Sequence, residues 1–123
     1  MCTRPVRRNN KMTFEQEIQQ FTGTEQYYKG FMGVLRTDGV QFFTSKASWA
    51  ITDIEAIVKS HPKVRTEEFV SITIVSKNKK ATAEYTDGND GKLYTQNYGY
   101  TSLEEGTYKF YFTDNVLMLS GEY

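Results

Sequence analysis

From Phe69 onward, apolar and polar residues alternate with a period of two, and turn-forming residues punctuate the runs. That pattern predicts antiparallel strands with one face on a core. Val70, Ile72 and Ile74 alternate with Ser71 and Thr73, and Ser76–Lys79 turns the chain. Ala81, Ala83 and Tyr85 alternate with Thr82 and Glu84 before a second turn at Asp87–Gly91. A third strand is expected over Lys92–Tyr100, with Tyr94, Tyr98 and Tyr100 on one face. After a longer turn, Thr101–Gly106, the residues Tyr108, Phe110 and Phe112 alternate with Lys109 and Tyr111. Asp114–Asn115 then closes a tight hairpin into Val116–Leu119.

Before Phe69 the period lengthens to that of helices. Thr13 and Gln16 have capping-box spacing, and Phe14, Ile18 and Phe21 share one helical face as far as Gly23. The segment Phe21–Gly39 mixes glycines with Phe21, Tyr27, Tyr28 and Phe31, which predicts a folded loop rather than a linker. Thr37 or Asp38 can cap a second helix through Val40, Phe42 and Phe43; a hairpin at Asp38–Gly39 is the competing reading. Ala47, Ala50, Ile51, Ile54, Ile57 and Val58 form the stripe of a third helix. Asp53, Glu55 and Lys59 lie off that stripe, and His61–Pro62 stops the helix. Trp49 falls on its far side, either packed on the preceding helix or aromatic loop, or exposed as an anchor for a partner.

Together these patterns predict an α+β fold, with N-terminal helices packed on one face of a C-terminal antiparallel meander of about five strands. A single domain is expected over residues 13–123. Residues 1–12 carry Arg4, Arg7, Arg8 and Lys11 without an acid and read as a basic arm, with Met12 as a second available start.

Composition narrows the function classes. Lys plus Arg and Asp plus Glu number 15 each, so the balance disfavours a nucleic-acid binder that neutralises many phosphates. Cys2 is the single cysteine, which leaves no intrachain disulfide and no multi-cysteine zinc site. No apolar run reaches the roughly 18 residues of a membrane span, and the N-terminus lacks the apolar core of a signal peptide. A cytoplasmic location without membrane contact is the expectation.

Catalytic chemistry finds little footing. His61 is the only histidine and stands at a helix end, where a cationic ring can meet the last carbonyls. Glu67–Glu68 and Glu104–Glu105 are sequence neighbours that diverge in a strand, not dyads. The glycines lack a Walker ending, and Asp87–Gly91 departs from a calcium loop and reads as a hairpin turn. No catalytic residue, metal ligand or cofactor is therefore assigned, and the chain is read as a non-enzyme. Binding chemistry remains. Tyr94, Tyr98 and Tyr100 can stack on a base or clasp a protein, Trp49 can anchor, and Lys77, Lys79 and Lys80 gather at one hairpin end.

Four stretches carry a resemblance: Phe21–Tyr28, Thr37–Val40, Ala47–Trp49 and the ending Asn115–Tyr123. In these the chain resembles a small uncharacterised family of phages, plasmids and bacteria including cyanobacteria, whose members end in a Leu-rich strand and Ser-x-Glu-Tyr. Two features depart from the family: members often carry a Gly before the Trp-containing helix and more acid at the second hairpin. The resemblance implies no catalytic assignment. It implies a binder of phage or mobile-element type that inhibits a host defence component, by blocking a protein surface or sequestering a nucleotide signal. Single-stranded nucleic acid is the alternative ligand, and a homo-oligomer the expected alternative to a monomer.

Overall fold

The computed structural model describes residues 12–89 and 91–123. The basic arm, apart from Met12, lies outside them. Helix α1 spans Phe14–Ile18, and both halves of the Thr13/Gln16 capping box are made, at 3.1 and 3.0 Å. It ends one turn earlier than its apolar stripe, so Phe21 follows it in the loop, yet still packs on Phe42 with ring centroids 5.3 Å apart.

The aromatic loop is folded, and it contains two strands that alternation could not announce. β1 is Tyr28–Lys29 and β2 is Leu35–Arg36, separated by a 3-10 turn at Phe31–Gly33. Two residues are too short for a period to show.

The second and third expected helices are one element, α2, Asp38–Ser60. Thr37 caps it, its hydroxyl accepting from the Val40 N–H at 3.4 Å, so the competing hairpin is excluded. The helix breaks at Ala47 (φ −148°, ψ 65°). Just before the break, the Thr44 and Ser45 hydroxyls each donate at 2.6 Å to the carbonyls of Gln41 and Phe42. Hydroxyls that take backbone carbonyls compete with the helical ladder and bend it.

The C-terminal strands follow as β3 (Phe69–Lys77), β4 (Lys80–Thr86), β5 (Lys92–Tyr98), β6 (Gly106–Thr113) and β7 (Val116–Leu119). With β1 and β2 the sheet has seven strands, in the order β1-β2-β7-β6-β3-β4-β5. All pairs are antiparallel except β2–β7, which is parallel. The α+β class stands, and the five expected C-terminal strands form, but not as a simple meander. After β5 the chain crosses back so that β6 pairs with β3, and among the described residues β1 and β2 extend the sheet to seven strands.

α2 covers one face of this sheet. Phe43, Ile51, Ile54 and Val58 bury against the alternating residues Val70, Ile72, Ile74, Tyr108, Phe110 and Leu117. Phe43 meets Tyr108 and Phe110 edge-on at 5.4 and 5.2 Å, a favoured aromatic arrangement. The opposite face carries Thr73, Val75, Lys109 and the aromatic trio Phe69, Tyr111 and Tyr123, whose ring centroids lie 5.1 to 5.7 Å apart.

Two carboxylates fix how the layers join. Glu55, expected off the apolar stripe, is fully buried. Its oxygens accept from Arg36 Nε at 2.7 Å, from Arg36 Nη2 at 2.9 Å and from the Phe31 N–H at 2.9 Å. The bonds that Arg36 donates to Glu55 raise its pKa above the ordinary value, with desolvation acting the other way. Glycine is required at position 30, because a Cβ there would run into the Glu55 carboxylate. At the other end of α2, Glu122 accepts from the Gly39 N–H at 3.0 Å and the Thr37 hydroxyl at 2.6 Å. It also accepts from the Leu119 N–H at 3.0 Å. A carboxylate at a helix N-terminus meets both orphan N–H groups and the positive end of the dipole. The Ser-x-Glu-Tyr ending is thus a clasp on α2.

Candidate binding surface

The break at Ala47 separates α2 into two runs, and Trp49 opens the second. There it leans over the edge of the sheet, with its ring centroid 5.2 Å from that of Tyr98 and the planes at 67°. Its ring partner is on β5, which reaches the end of the sheet beside this part of α2. Asp53, one helical turn further on, accepts from the Tyr98 hydroxyl at 2.9 Å. Burial foremost, and then the Asp53 carboxylate, raise the Tyr98 pKa above the ordinary phenol value. The phenol is neutral at physiological pH and works as a donor.

Tyr100 lies just past the end of β5 and is 74% exposed. Trp49, Tyr98 and Tyr100, with Thr101 and Ser102, line a shallow cleft of about 270 Å³. The Thr101 N–H donates to the Lys79 carbonyl at 2.8 Å, which ties the β3–β4 turn to the cleft wall.

The remaining expected residues divide. Tyr94 shares the covered face with Tyr98 but belongs to a different neighbourhood. Its ring lies 4.3 Å from that of His61 and 5.8 Å from Tyr85, and its hydroxyl donates to Gln96. So Tyr94 and Tyr98 are half-buried parts of the helix–sheet seam, not an open stacking platform. Lys77 and Lys80 are register partners in a two-residue hairpin whose central Asn78 and Lys79 both have positive φ. Their neighbours Ser76 and Ala81 point into the core, so alternation places both lysines on the uncovered face, away from the cleft. Glu105 also stands at this turn, accepting from the Asn78 N–H at 2.8 Å. The lysine cluster exists, but it does not rim the aromatic cleft as one surface.

His61 does not meet the last helical carbonyls through its ring. Its backbone N–H closes the helix onto Ile57 at 2.9 Å, and its Nδ1 accepts from the Lys63 N–H at 3.2 Å. Glu104 and Glu105 diverge as expected, since Glu104 accepts from the Phe14 N–H at 2.8 Å while Glu105 serves Asn78. Asp87 Oδ1 accepts from Asn89 and Gly91 N–H groups at 2.9 and 3.2 Å, the work of a turn residue. Among the described residues no cluster of three or more His, Cys, Asp or Glu is placed to hold a metal, and no helix is long and apolar enough to cross a membrane.

One surface escaped the sequence reading. Phe31 and Met32, each 48% exposed, cap the β1–β2 connection, and Met32 adopts left-handed geometry (φ 56°, ψ 29°). The glycines on either side were the available signal.

A model of a family of unknown function matches residues 12–123. No curated protein and no solved structure matches the chain.

Proposed function

The chain belongs to the family of unknown function DUF6876, and we propose that it is a non-enzymatic binding protein that takes an aromatic or planar group of its target in the Trp49–Tyr98–Tyr100 cleft. One observation carries this reading: Trp49 and the exposed Tyr100 flank a Tyr98 whose hydroxyl is already committed to Asp53. A ring whose polar tip is satisfied internally offers its apolar surface outward at small ordering cost. The volume suits one aromatic side chain or one base, not a large cofactor.

The target in this proposal is a host component, bound at its surface and thereby blocked, as the resemblance to mobile-element proteins implies. A protein surface is the preferred occupant, because tryptophan and tyrosine are the usual anchors of such interfaces. A nucleotide is the second reading, because the same rings can stack on a base. Single-stranded nucleic acid ranks behind both, because Lys77 and Lys80 lie across the sheet from the rings.

Native mass spectrometry of the chain isolated from its own cells identifies what it carries, protein or nucleotide. Calorimetry with that species then compares Trp49→Ala with the parent. The expected loss is at least about 2 kcal/mol, roughly thirty-fold in affinity. Unchanged affinity removes the cleft from the function. Affinity that falls steeply with added salt selects the nucleic-acid reading instead.

A further inference from the structure

The two edges of the sheet are built differently. β1 is two residues long and ends in Lys29, a blunted edge of the kind that discourages pairing. β5 is seven residues long, contains no proline, and is uncharged from Leu93 to Tyr98. Its only charge, Lys92, sits at its start and is paired with Glu84 at 3.3 Å.

Register shows which groups this edge presents. The Asn78–Lys79 hairpin makes Lys77 and Lys80 a hydrogen-bonded pair, so hydrogen-bonded pairs with β3 continue at Thr82, Glu84 and Thr86. Ala81, Ala83 and Tyr85 therefore bond outward to β5, where their partners are Tyr98, Gln96 and Tyr94. Thr95 and Asn97 are left with their N–H and C=O groups directed away from the sheet. Asn97 accepts from the Gln96 side chain at 3.3 Å, a long contact that is easily exchanged.

We infer that this edge pairs with the same edge of a second copy of the chain, antiparallel about a two-fold axis at Gln96. That register sets Thr95 opposite the second copy's Asn97, and Asn97 opposite its Thr95. Each such pair exchanges two hydrogen bonds, and the symmetry makes four. The same register sets Tyr94 against the second copy's Tyr98 in non-hydrogen-bonded positions, where side chains are closest. An isologous contact of this kind closes at the dimer. No like charges meet between Leu93 and Tyr98, which a self-complementary strand requires. The inference rests on the edge of β5 and not on the proposed function, and its register sets the second copy's Tyr94 beside Tyr98, one wall of the Trp49 cleft.

Sedimentation equilibrium of the full chain over a concentration series is expected to show a reversible dimer, of about twice the 14.2 kDa chain mass. Asn97→Pro removes an N–H that β4 does not use, a substitution edge strands accept, and is expected to sediment as a monomer with unchanged circular dichroism. A second variant tests the register without relying on that fold. With Cys2 replaced by serine, Gln96→Cys brings two thiols together at the axis, where the Cα separation of about 4.5 Å suits a disulfide. It is expected to cross-link on mild oxidation, whereas Val75→Cys on the uncovered face does not. A chain that stays monomeric at every concentration overturns the proposal and leaves the edge to some other partner. So does a dimer that persists in Asn97→Pro, or one that fails to cross-link through position 96.

Discussion

Replacing Glu55 by alanine tests whether the aromatic loop is held to the long helix by one buried charge. The Glu55 side chain has no exposure and that of Arg36 has 16%. Truncation leaves the guanidinium without its partner in a site nearly closed to water, and it orphans the Phe31 N–H. Breaking a buried pair in this one-sided way costs about 3–5 kcal/mol. That is a large fraction of the roughly 5–15 kcal/mol by which a domain is stable. With a urea m-value of about 2 kcal/mol/M, the unfolding midpoint falls by roughly 2 M. The companion variant replaces Glu55 and Arg36 together by methionine. It removes both charges, so only the unpaired Phe31 N–H is left, at about 1–3 kcal/mol. The double variant is therefore expected to be more stable than Glu55→Ala. Urea titrations followed by circular dichroism measure both. A Glu55→Ala loss below about 1 kcal/mol, or a double variant no better than the single, refutes the reasoning.

Tyr85 is fully buried, and its hydroxyl has no hydrogen-bond partner among the described residues. Tyr85→Phe should leave stability unchanged or raise it by up to about 1 kcal/mol, and a clear loss in thermal unfolding contradicts this. Burial raises the pKa values of Tyr85, Tyr98 and Tyr108 above the ordinary 10.0. The folded state therefore keeps protons that the unfolded state releases once pH passes about 10. Their contribution is fully present below that pH and is lost as pH rises beyond it. Stability should decline above pH 10, less steeply in Tyr85→Phe, as chemical denaturation along a pH series will show. Glu122→Ala removes the clasp on the N-terminus of α2 and should cost about 1–2 kcal/mol, whereas an unaltered midpoint leaves the clasp without energetic weight.

Period-two alternation is imposed by a sheet that buries one face, so the existence and facing of β3 to β7 could be read from the chain, whereas the ends of β3 and β5 and the return of β6 to β3 could not. The Thr13 and Thr37 caps were legible because their partners lie three residues away. What periodicity could not carry were pairings between residues distant in sequence. Glu55 looked like a solvated charge because Arg36 stands 19 positions earlier, in a two-residue strand. Glu55 nonetheless lies four residues after Ile51 and three before Val58, at the margin of the stripe, and that was the one clue available. The same limit applies to the cleft. Trp49, Tyr98 and Tyr100 could each be named as candidate contacts, but Ala47 looked like an ordinary core residue of a helix that in fact breaks there. Lys77 and Lys80 were grouped with the tyrosines by proximity in the chain, whereas strand alternation sends them to the other face.

Trp49 is the chain's only tryptophan, so in the free chain, and in its complex with a target that lacks tryptophan or has had its tryptophans replaced, the fluorescence reports on the cleft alone. Acrylamide quenching can be compared between the isolated chain and the complex it forms with its target. A tryptophan shielded in the complex and quenched in the free chain is the predicted outcome. Equal quenching in both, with the complex shown to be intact, contradicts the assignment of the cleft as the place where the target is held.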